Sequence, residues 1–135
     1  MELIKEYHEN GNLKISYKTL NGIKEGYCEA YNENGVKEYD LTYKNGHWDG
    51  WFNYYNDKGI LSSKKLWKNG KYQNHSVEYH DNGNISFETI KTKGVSYCKQ
   101  YDELGRIIVE AEIKGTKVLK RKTYSYNNLE TIKIA

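Results

Sequence analysis

The chain has 135 residues, a formal net charge of +3, 14 tyrosines and no proline. Only 37% of the residues are hydrophobic, which predicts one shallow, largely polar domain with aromatic packing. Because Glu and Asp are dispersed among the Lys, no nucleic-acid partner is expected. The start MELIKEYHEN lacks the apolar core of a secretion signal, and no stretch approaches the roughly 20 apolar residues of a transmembrane segment. The composition therefore favours a cytoplasmic protein.

One turn sequence recurs five times in the protein. It begins as "YHENGNL" at Tyr7 and returns at Tyr31, Tyr55 and Tyr79, each 24 residues after the last, and then at Tyr101 after 22. We assign the glycines of this motif to turns: Gly11, Gly35, Gly59, Gly83 and Gly105.

A second turn falls midway through each repeat, as in "LNGIKEG" from Leu20, "KNGHWDG" from Lys44 and "KNGKYQN" from Lys68. Asn-Gly is a strong hairpin signal, since both residues accept the positive φ of a primed turn. Six such dipeptides occur in the sequence. Two turns per repeat predict a repeated β-hairpin.

Apolar and aromatic residues recur at odd positions in strand after strand, which predicts that they share one face of a sheet. We therefore predict an all-β fold of about eleven strands. It is an elongated, twisted single-sheet antiparallel β-meander of about five hairpin repeats, each ~24 residues long. Residues 1–116 form the repeat sheet, and residues 117–135 form a capping segment of the same domain. A structural ladder is expected from Tyr7, Tyr31, Tyr79 and Tyr101.

The two cysteines, Cys28 and Cys98, occupy equivalent positions three repeats apart. With two strands per repeat at about 4.8 Å each, an open sheet separates them by about 29 Å. Bridged Cα atoms lie at most about 7 Å apart. The spacing therefore predicts two free thiols.

The tandem pattern Y-x-x-N-G-x-[LIV], about ten residues, then K-N-G-x-x-x-G, resembles the MORN repeat variant found in bacterial proteins of the YwqK antitoxin family. The resemblance extends from Tyr7 to Gly115. The sequence departs from the pattern at Asn74 and Cys98, where Gly26 and Gly50 set it, and at Leu104, where asparagine is usual. The resemblance implies a non-enzymatic protein that binds and neutralises a toxin encoded beside it.

Residues for catalysis or metal binding do not converge in the sequence. His8, His47, His75 and His80 lack cysteine and carboxylate partners at zinc-like spacing, and we expect them to be surface residues. The recurring turn carboxylates are better explained as acceptors of turn N–H groups than as catalytic acids. Neither an enzyme nor a cofactor nor a metal site is predicted.

The stretch "GHWDGWFNYYND" concentrates bulky rings in the middle of the sequence. Trp and Tyr are enriched in interface hot spots, and exposed aromatic patches mark binding sites. The alternative is that these rings only hold the strands together as a cross-strand ladder. The candidate partner-binding residues are Trp48, Trp51, Phe52, Tyr54, Tyr55 and Trp67.

Three functions compete at this point. The leading hypothesis is an antitoxin or immunity protein that binds and occludes a cognate protein toxin. The alternative is a MORN-type adaptor that binds a membrane surface or another scaffold protein, with some support from Lys64, Lys65 and Lys68. A single-stranded nucleic-acid platform is disfavoured by the interspersed carboxylates. Edge strands also allow a homodimer by strand pairing.

Overall fold

The computed structural model describes residues 1–127 and 131–134. In these residues the protein contains strands and turns and no helix. The strands form one open antiparallel sheet in meander order, which confirms the predicted all-β meander. The protein divides into two compact units, Met1–Gln73 and Asn74–Ala135, and each is described by itself.

Unit 1 contains the first repeats. The long strands pair with one another in chain order. Two short strands each pair only with the long strand before them, and a bulge separates each from the long strand that follows it. The strands are β1 (Glu2–Tyr7), β2 (Leu13–Leu20), β3 (Ile23–Lys24), β4 (Gly26–Tyr31), β5 (Lys37–Lys44), β6 (His47–Trp48), β7 (Gly50–Tyr55), β8 (Leu61–Lys68) and the start of β9 (Lys71–Tyr79).

Unit 2 takes up the rest of β9 and continues with β10 (Ile85–Thr92), β11 (Val95–Tyr101), β12 (Ile107–Lys114), β13 (Lys117–Asn127) and β14 (Thr131–Ile134). The predicted capping segment, residues 117–135, pairs β13 with β12 and β14 with β13. Its residues 128–130 and 135 lie outside the described residues. The described strands number fourteen rather than about eleven, because the bulges split two of them and the final segment adds β14.

The Asn-Gly dipeptides form two kinds of turn. At Asn21, Asn45 and Asn69 both the asparagine (φ 49° to 53°) and the glycine after it (φ 77° to 81°) have positive φ, as a type I′ turn requires. In the turns of Gly11, Gly35 and Gly83 only the glycine is positive, and its N–H donates to the carbonyl three residues earlier. The primed-turn prediction is wrong for these three, because five residues separate the paired strand ends and a type I turn closes the longer loop.

Glycines after Glu25 and Asp49 create the two bulges that separate the short strands of unit 1 from the strands that follow them. Gly26 (φ 85°) separates β3 from β4, and Gly50 (φ 109°) separates β6 from β7. The equivalent Asn74 in unit 2 keeps a positive φ of 56°, whereas Cys98 does not and β11 runs without a break. The two sequence departures therefore differ in effect, because asparagine tolerates left-handed backbone and cysteine does not.

Substitutions at Gly26 test this backbone requirement. No heavy atom lies within 4 Å of a Cβ placed there, so the effect is conformational rather than steric. We expect Gly26→Ala to lower the free energy of unfolding by about 1–2 kcal/mol, and Gly26→Asn by about half as much, since asparagine enters this region more readily. Urea denaturation measures both values. Equal losses would contradict the proposed role of the positive φ.

The strand register places aromatic side chains on both faces of unit 1. Ile15 lies opposite Ala30, Ala30 opposite Tyr39, and Tyr39 opposite Tyr54. Directly opposed residues share a face, so odd positions in β2 and β5 lie with even positions in β4 and β7. The prediction that odd positions share one face strand after strand is therefore wrong in unit 1, because, apart from the pairs at the strand ends, its neighbouring strands pair an odd residue with an even one.

We name the two faces of unit 1 by their residues. The aromatic face carries Ile15, Tyr17, Cys28, Ala30, Tyr39, Leu41, Tyr43, Trp48, Phe52, Tyr54, Lys65 and Trp67. The polar face carries Tyr27, Glu29, Lys37, Asp40, Trp51, Asn53 and Tyr55.

The core of unit 1 lies on its aromatic face. Cys28, Leu41 and Phe52 are buried there, at 1%, 3% and 6% exposure, beneath larger half-buried rings. Since a sheet of one layer has no second layer to cover it, the rings themselves supply the burial. Both cysteines are unpaired, as predicted, with Cys28 in this core and Cys98 half-buried in β11.

Candidate protein-binding face

Phe52 is the centre of a cluster of rings on the aromatic face. Its ring stacks on Tyr54 at 4.6 Å between centroids and on Tyr39 at 5.2 Å, and it lies 4.8 Å from Trp48 at a tilt of 58°. Offset and tilted pairs at these distances are favourable beyond the area they bury. Three neighbouring strands, β5 to β7, therefore present a continuous aromatic surface held in one arrangement.

Trp48 and Trp67 extend this cluster toward the type I′ turns. Their rings meet edge to face at 4.8 Å and 87°, and Trp67 also lies 5.5 Å from Tyr72. Trp48 Nε1 donates to Tyr43 Oη at 3.4 Å, a long bond. Trp67 Nε1 is buried and has no hydrogen-bond partner among the described residues, which is unfavourable for a donor.

Two lysines border the aromatic face. Lys24 Nζ lies 4.7 Å from the centroid of Tyr17 and 5.2 Å from that of Tyr43. Lys65 Nζ lies 5.9 Å from the centroid of Tyr72. Cation–π contacts of this kind hold an ammonium group over a ring and leave it open to solvent on the other side. The ring cluster therefore has a positively charged rim.

The six candidate residues do not form one site. Trp48, Phe52, Tyr54 and Trp67 come together on the aromatic face, whereas Trp51 and Tyr55 lie on the polar face. Adjacent residues in a strand point to opposite faces, which separates Trp51 from Phe52 and Tyr54 from Tyr55. Tyr39, Tyr43 and Tyr72 also belong to the cluster but were not among the predicted binding residues, although the pairing of odd with even positions in unit 1 would have placed the first two opposite Tyr54 and Trp48.

A hydrogen-bonded network occupies the polar face. Asp40, 6% exposed, accepts hydrogen bonds from Tyr55 Oη at 2.6 Å and Asn53 Nδ2 at 2.8 Å. Lys37 Nζ lies 3.1 Å from Asp40 Oδ2 and 3.3 Å from Glu29 Oε2, and it donates to Tyr27 Oη at 2.7 Å. On the same face, Lys64 Nζ lies 4.3 Å from the ring centroid of Trp51.

The network fixes the charge state of its members. Burial alone would raise the pKa of Asp40, but hydrogen bonds from Tyr55 and Asn53 and the charge of Lys37 outweigh it and lower that pKa. Burial opposes the charge of Lys37, yet its bonds to Tyr27, Asp40 and Glu29 raise its pKa above the ordinary value. Burial and the bond to Asp40 raise the pKa of Tyr55 to about 12. Lys37 therefore remains protonated and is unsuited to act as a nucleophile.

The tyrosines predicted as a ladder lie at the ends of strands. Tyr7, Tyr31, Tyr79 and Tyr101 each form the last residue of a strand, at or beside a register shift. Their surroundings differ, since Tyr7 is 59% exposed and the others are half-buried. Burial and a bond to Glu29 raise the pKa of Tyr31. What these tyrosines share is therefore their position at the end of a strand, and not a common environment.

The predicted turn glycines all have positive φ, from 77° to 92°: Gly11, Gly35, Gly59, Gly83 and Gly105. The acceptor in these turns is the residue three before the glycine. Oδ1 of Asn32, Asn56 and Asp102 accepts backbone N–H groups two and four residues later. Asp102 is the recurring carboxylate that has the predicted capping role. Desolvation would raise its pKa, but its N–H bonds and Arg106 outweigh that effect and lower the pKa.

His8 and His80 occupy the position of this acceptor in their own repeats, but their side chains bond to the backbone of the next repeat. Nε2 of His8 donates to the Tyr31 carbonyl at 2.8 Å, and Nε2 of His80 donates to the Tyr101 carbonyl at 2.9 Å. These histidines are part-buried structural residues rather than solvated ones. In the part of the protein that the structure describes, no three His, Cys, Asp or Glu side chains are grouped as a metal site would require.

Unit 2 contains an open hollow that the sequence did not indicate. Lys99 lies opposite Glu110 and Glu110 opposite Lys122, and Tyr97 lies opposite Glu112 in the neighbouring row. Lys120 Nζ is 3.7 Å from Glu112 Oε2. Because lysines and glutamates alternate, the lining of this hollow has no strong net charge. Tyr97 is the one aromatic side chain among its described lining residues.

No protein-family model matches the sequence, and no curated protein matches it either. Among the residues described here, no helix has the length and apolarity to cross a bilayer. The fold and the site define a class: an all-β meander of hairpin repeats with an aromatic cluster on one face of its first unit.

Proposed function

We propose that the protein is a non-enzymatic binding module that acts in the cytoplasm as an antitoxin or immunity protein and occludes a cognate protein toxin. The observation that carries this proposal is the ring cluster around Phe52 on a sheet of one layer. Tyr54 and Tyr72, at 36% and 37% exposure, offer ring surface to a partner. Large rings held in place lose little conformational freedom on binding, which favours affinity.

The rim of the cluster supports the same proposal. Interfaces combine an apolar centre with a polar border, and Lys24 and Lys65 supply such a border here. Their charges would steer an acidic surface of the toxin toward the rings. The resemblance to antitoxin repeats, carried by Tyr31, Asn34 and Gly35, points in the same direction.

The aromatic face supports this proposal better than a membrane adaptor. Lys64 and Lys65 lie over the rings of Trp51 and Tyr72, and the two lysines lie on opposite faces. Docking to anionic lipid uses a denser group of about 4–8 basic residues.

Pairing of two copies of the protein through β1 is also disfavoured. An antiparallel register centred on Ile4 places Glu2 opposite Glu6, and one centred on Lys5 places Lys5 opposite itself, so like charges meet in both registers.

Co-expression with the product of the adjacent gene tests the proposal. We expect a complex that survives gel filtration and restores growth to cells that the adjacent product inhibits. Sedimentation with vesicles of phosphatidylserine and phosphatidylcholine at physiological salt is the parallel arm. Vesicle binding without a protein complex would favour the adaptor, and absence of both complex and protection would refute the antitoxin role.

A further inference from the structure

Three type I′ turns of unit 1 have the same backbone and different surroundings. In the second turn, Gly46 N–H donates to the Lys24 carbonyl at 2.9 Å, and Asn45 N–H donates to Glu25 Oε2 at 2.6 Å. In the third turn, Gly70 N–H donates to the Trp48 carbonyl at 2.8 Å, and Asn69 N–H donates to Asp49 Oδ1 at 3.2 Å. Each turn is thus held by the bulge strand of the repeat before it.

In the first turn, Asn21-Gly22, neither of these two hydrogen bonds is present among the described residues. Both residues are exposed, and within the described residues neither N–H has an acceptor. A Cβ placed on Gly22 would meet nothing within 4 Å, whereas one on Gly46 meets Ile23 Cγ2 at 3.2 Å and one on Gly70 meets His47 Nδ1 at 3.3 Å. Among the described residues, the Gly22 N–H therefore has no acceptor, and no atom lies within 4 Å of the Cβ position of this exposed glycine.

The other Asn-Gly dipeptides are also held. The N–H groups of Gly11, Gly35 and Gly83 donate to the carbonyls of His8, Asn32 and His80, each at 3.0 Å. The amide groups of Asn10 and Asn82 donate to the carbonyls of Glu33 and Glu103. Of the six Asn-Gly glycines, Gly22 alone has an N–H without an acceptor in the described residues.

We propose that Asn21 is the site at which the folded protein undergoes spontaneous succinimide-mediated deamidation. The deprotonated Gly22 nitrogen attacks Asn21 Cγ, the new N–Cγ bond forms, and the bond from Cγ to the amide nitrogen Nδ2 breaks. The Nδ2 amino group takes up, through water, the proton that the Gly22 nitrogen lost, and it leaves as ammonia. Water then opens the ring at either carbonyl and yields aspartate or isoaspartate. Where the glycine N–H is bonded, the attacking nitrogen is engaged and the reaction slows.

The products change the first hairpin. Aspartate adds a negative charge to a turn flanked by the exposed side chains of Leu20 and Ile23. Isoaspartate inserts an extra carbon into the backbone, which a two-residue turn between directly opposed residues does not accommodate. The β2–β3 pairing is therefore the part of the fold that this modification would open. The inference is independent of the proposed function.

Peptide mapping by mass spectrometry of the full-length protein, aged at pH 8, tests the proposal. A hydrogen bond of ordinary strength slows the reaction about fivefold to tenfold, so Asn21 is expected to convert about tenfold faster than Asn45 or Asn69. The same protein aged in concentrated urea is the control, and there the three rates should converge. Equal rates in the folded protein, faster conversion at Asn45 or Asn69, or no conversion at Asn21 would each overturn the assignment.

Discussion

Replacing Phe52 with alanine is expected to lower the free energy of unfolding by about 3–4 kcal/mol. Phe52 is buried beneath Trp48 and Tyr39, and it stacks on Tyr54, so its removal leaves a cavity in a core that has no second layer to collapse onto it. Denaturant unfolding followed by circular dichroism measures the loss.

Two control variants make this result specific. Phe52→Leu keeps most of the volume and is expected to lose less than about 1.5 kcal/mol. Tyr54→Ser removes a neighbouring ring on the same face, but one that is 36% exposed, and we expect a loss of about 1 kcal/mol. A loss below about 1 kcal/mol for Phe52→Ala would contradict a core on the aromatic face.

Removing Asp40 is expected to have the second largest effect. Asp40→Ala leaves Tyr55, Asn53 and Lys37 without their shared acceptor, and we expect a loss of about 2–4 kcal/mol at neutral pH. Because Lys37 keeps Glu29 as a partner and is one quarter exposed, the loss should lie below that of a fully buried broken pair. Asp57→Ala, in an exposed turn, is the matched control and should change stability by less than about 0.5 kcal/mol.

The pH dependence of this variant follows from the sign of each shift. The folded state lowers the pKa of Asp40, so its contribution is present above about pH 4 and is lost as the pH falls through the lowered value. The folded state raises the pKa values of Lys37 and Tyr55, the latter to about 12, so their contributions are present below about pH 10 and are lost as the pH rises. The stability difference between wild type and Asp40→Ala should therefore narrow at both extremes. A difference that is constant from about pH 3 to about pH 11 would contradict the network.

The fold could be predicted from the sequence because its signals are local. Asn-Gly turns at a spacing of 24 residues determine where strands end, and the type I′ turns at Asn21, Asn45 and Asn69 were found as predicted. Two backbone details were not predictable in this way. The five-residue loops close with a type I turn because loop length selects turn type, and the Glu25-Gly26 and Asp49-Gly50 bulges depend on how neighbouring strands align.

The candidate site was predicted in part. The sequence located the ring-rich segment, and Trp48, Phe52, Tyr54 and Trp67 do cluster. Its odd and even positions did not assign the faces correctly, because a two-residue turn places residue i opposite residue i+3 and so pairs an odd position with an even one. The network around Asp40 was missed for a different reason, since Glu29, Asn53 and Tyr55 reach it from the neighbouring strands β4 and β7.

The most direct test of the account measures the affinity of the adjacent gene product for three forms of the protein: wild type, Tyr54→Ser and Leu20→Ser. Tyr54→Ser alters the aromatic face, and Leu20→Ser alters a still more exposed apolar residue, at 48% against 36%, on the opposite face of the sheet. Recognition through the aromatic face predicts at least about tenfold weaker binding for Tyr54→Ser and an unchanged Kd for Leu20→Ser. Equal affinity of all three forms, or selective loss with Leu20→Ser, would contradict it.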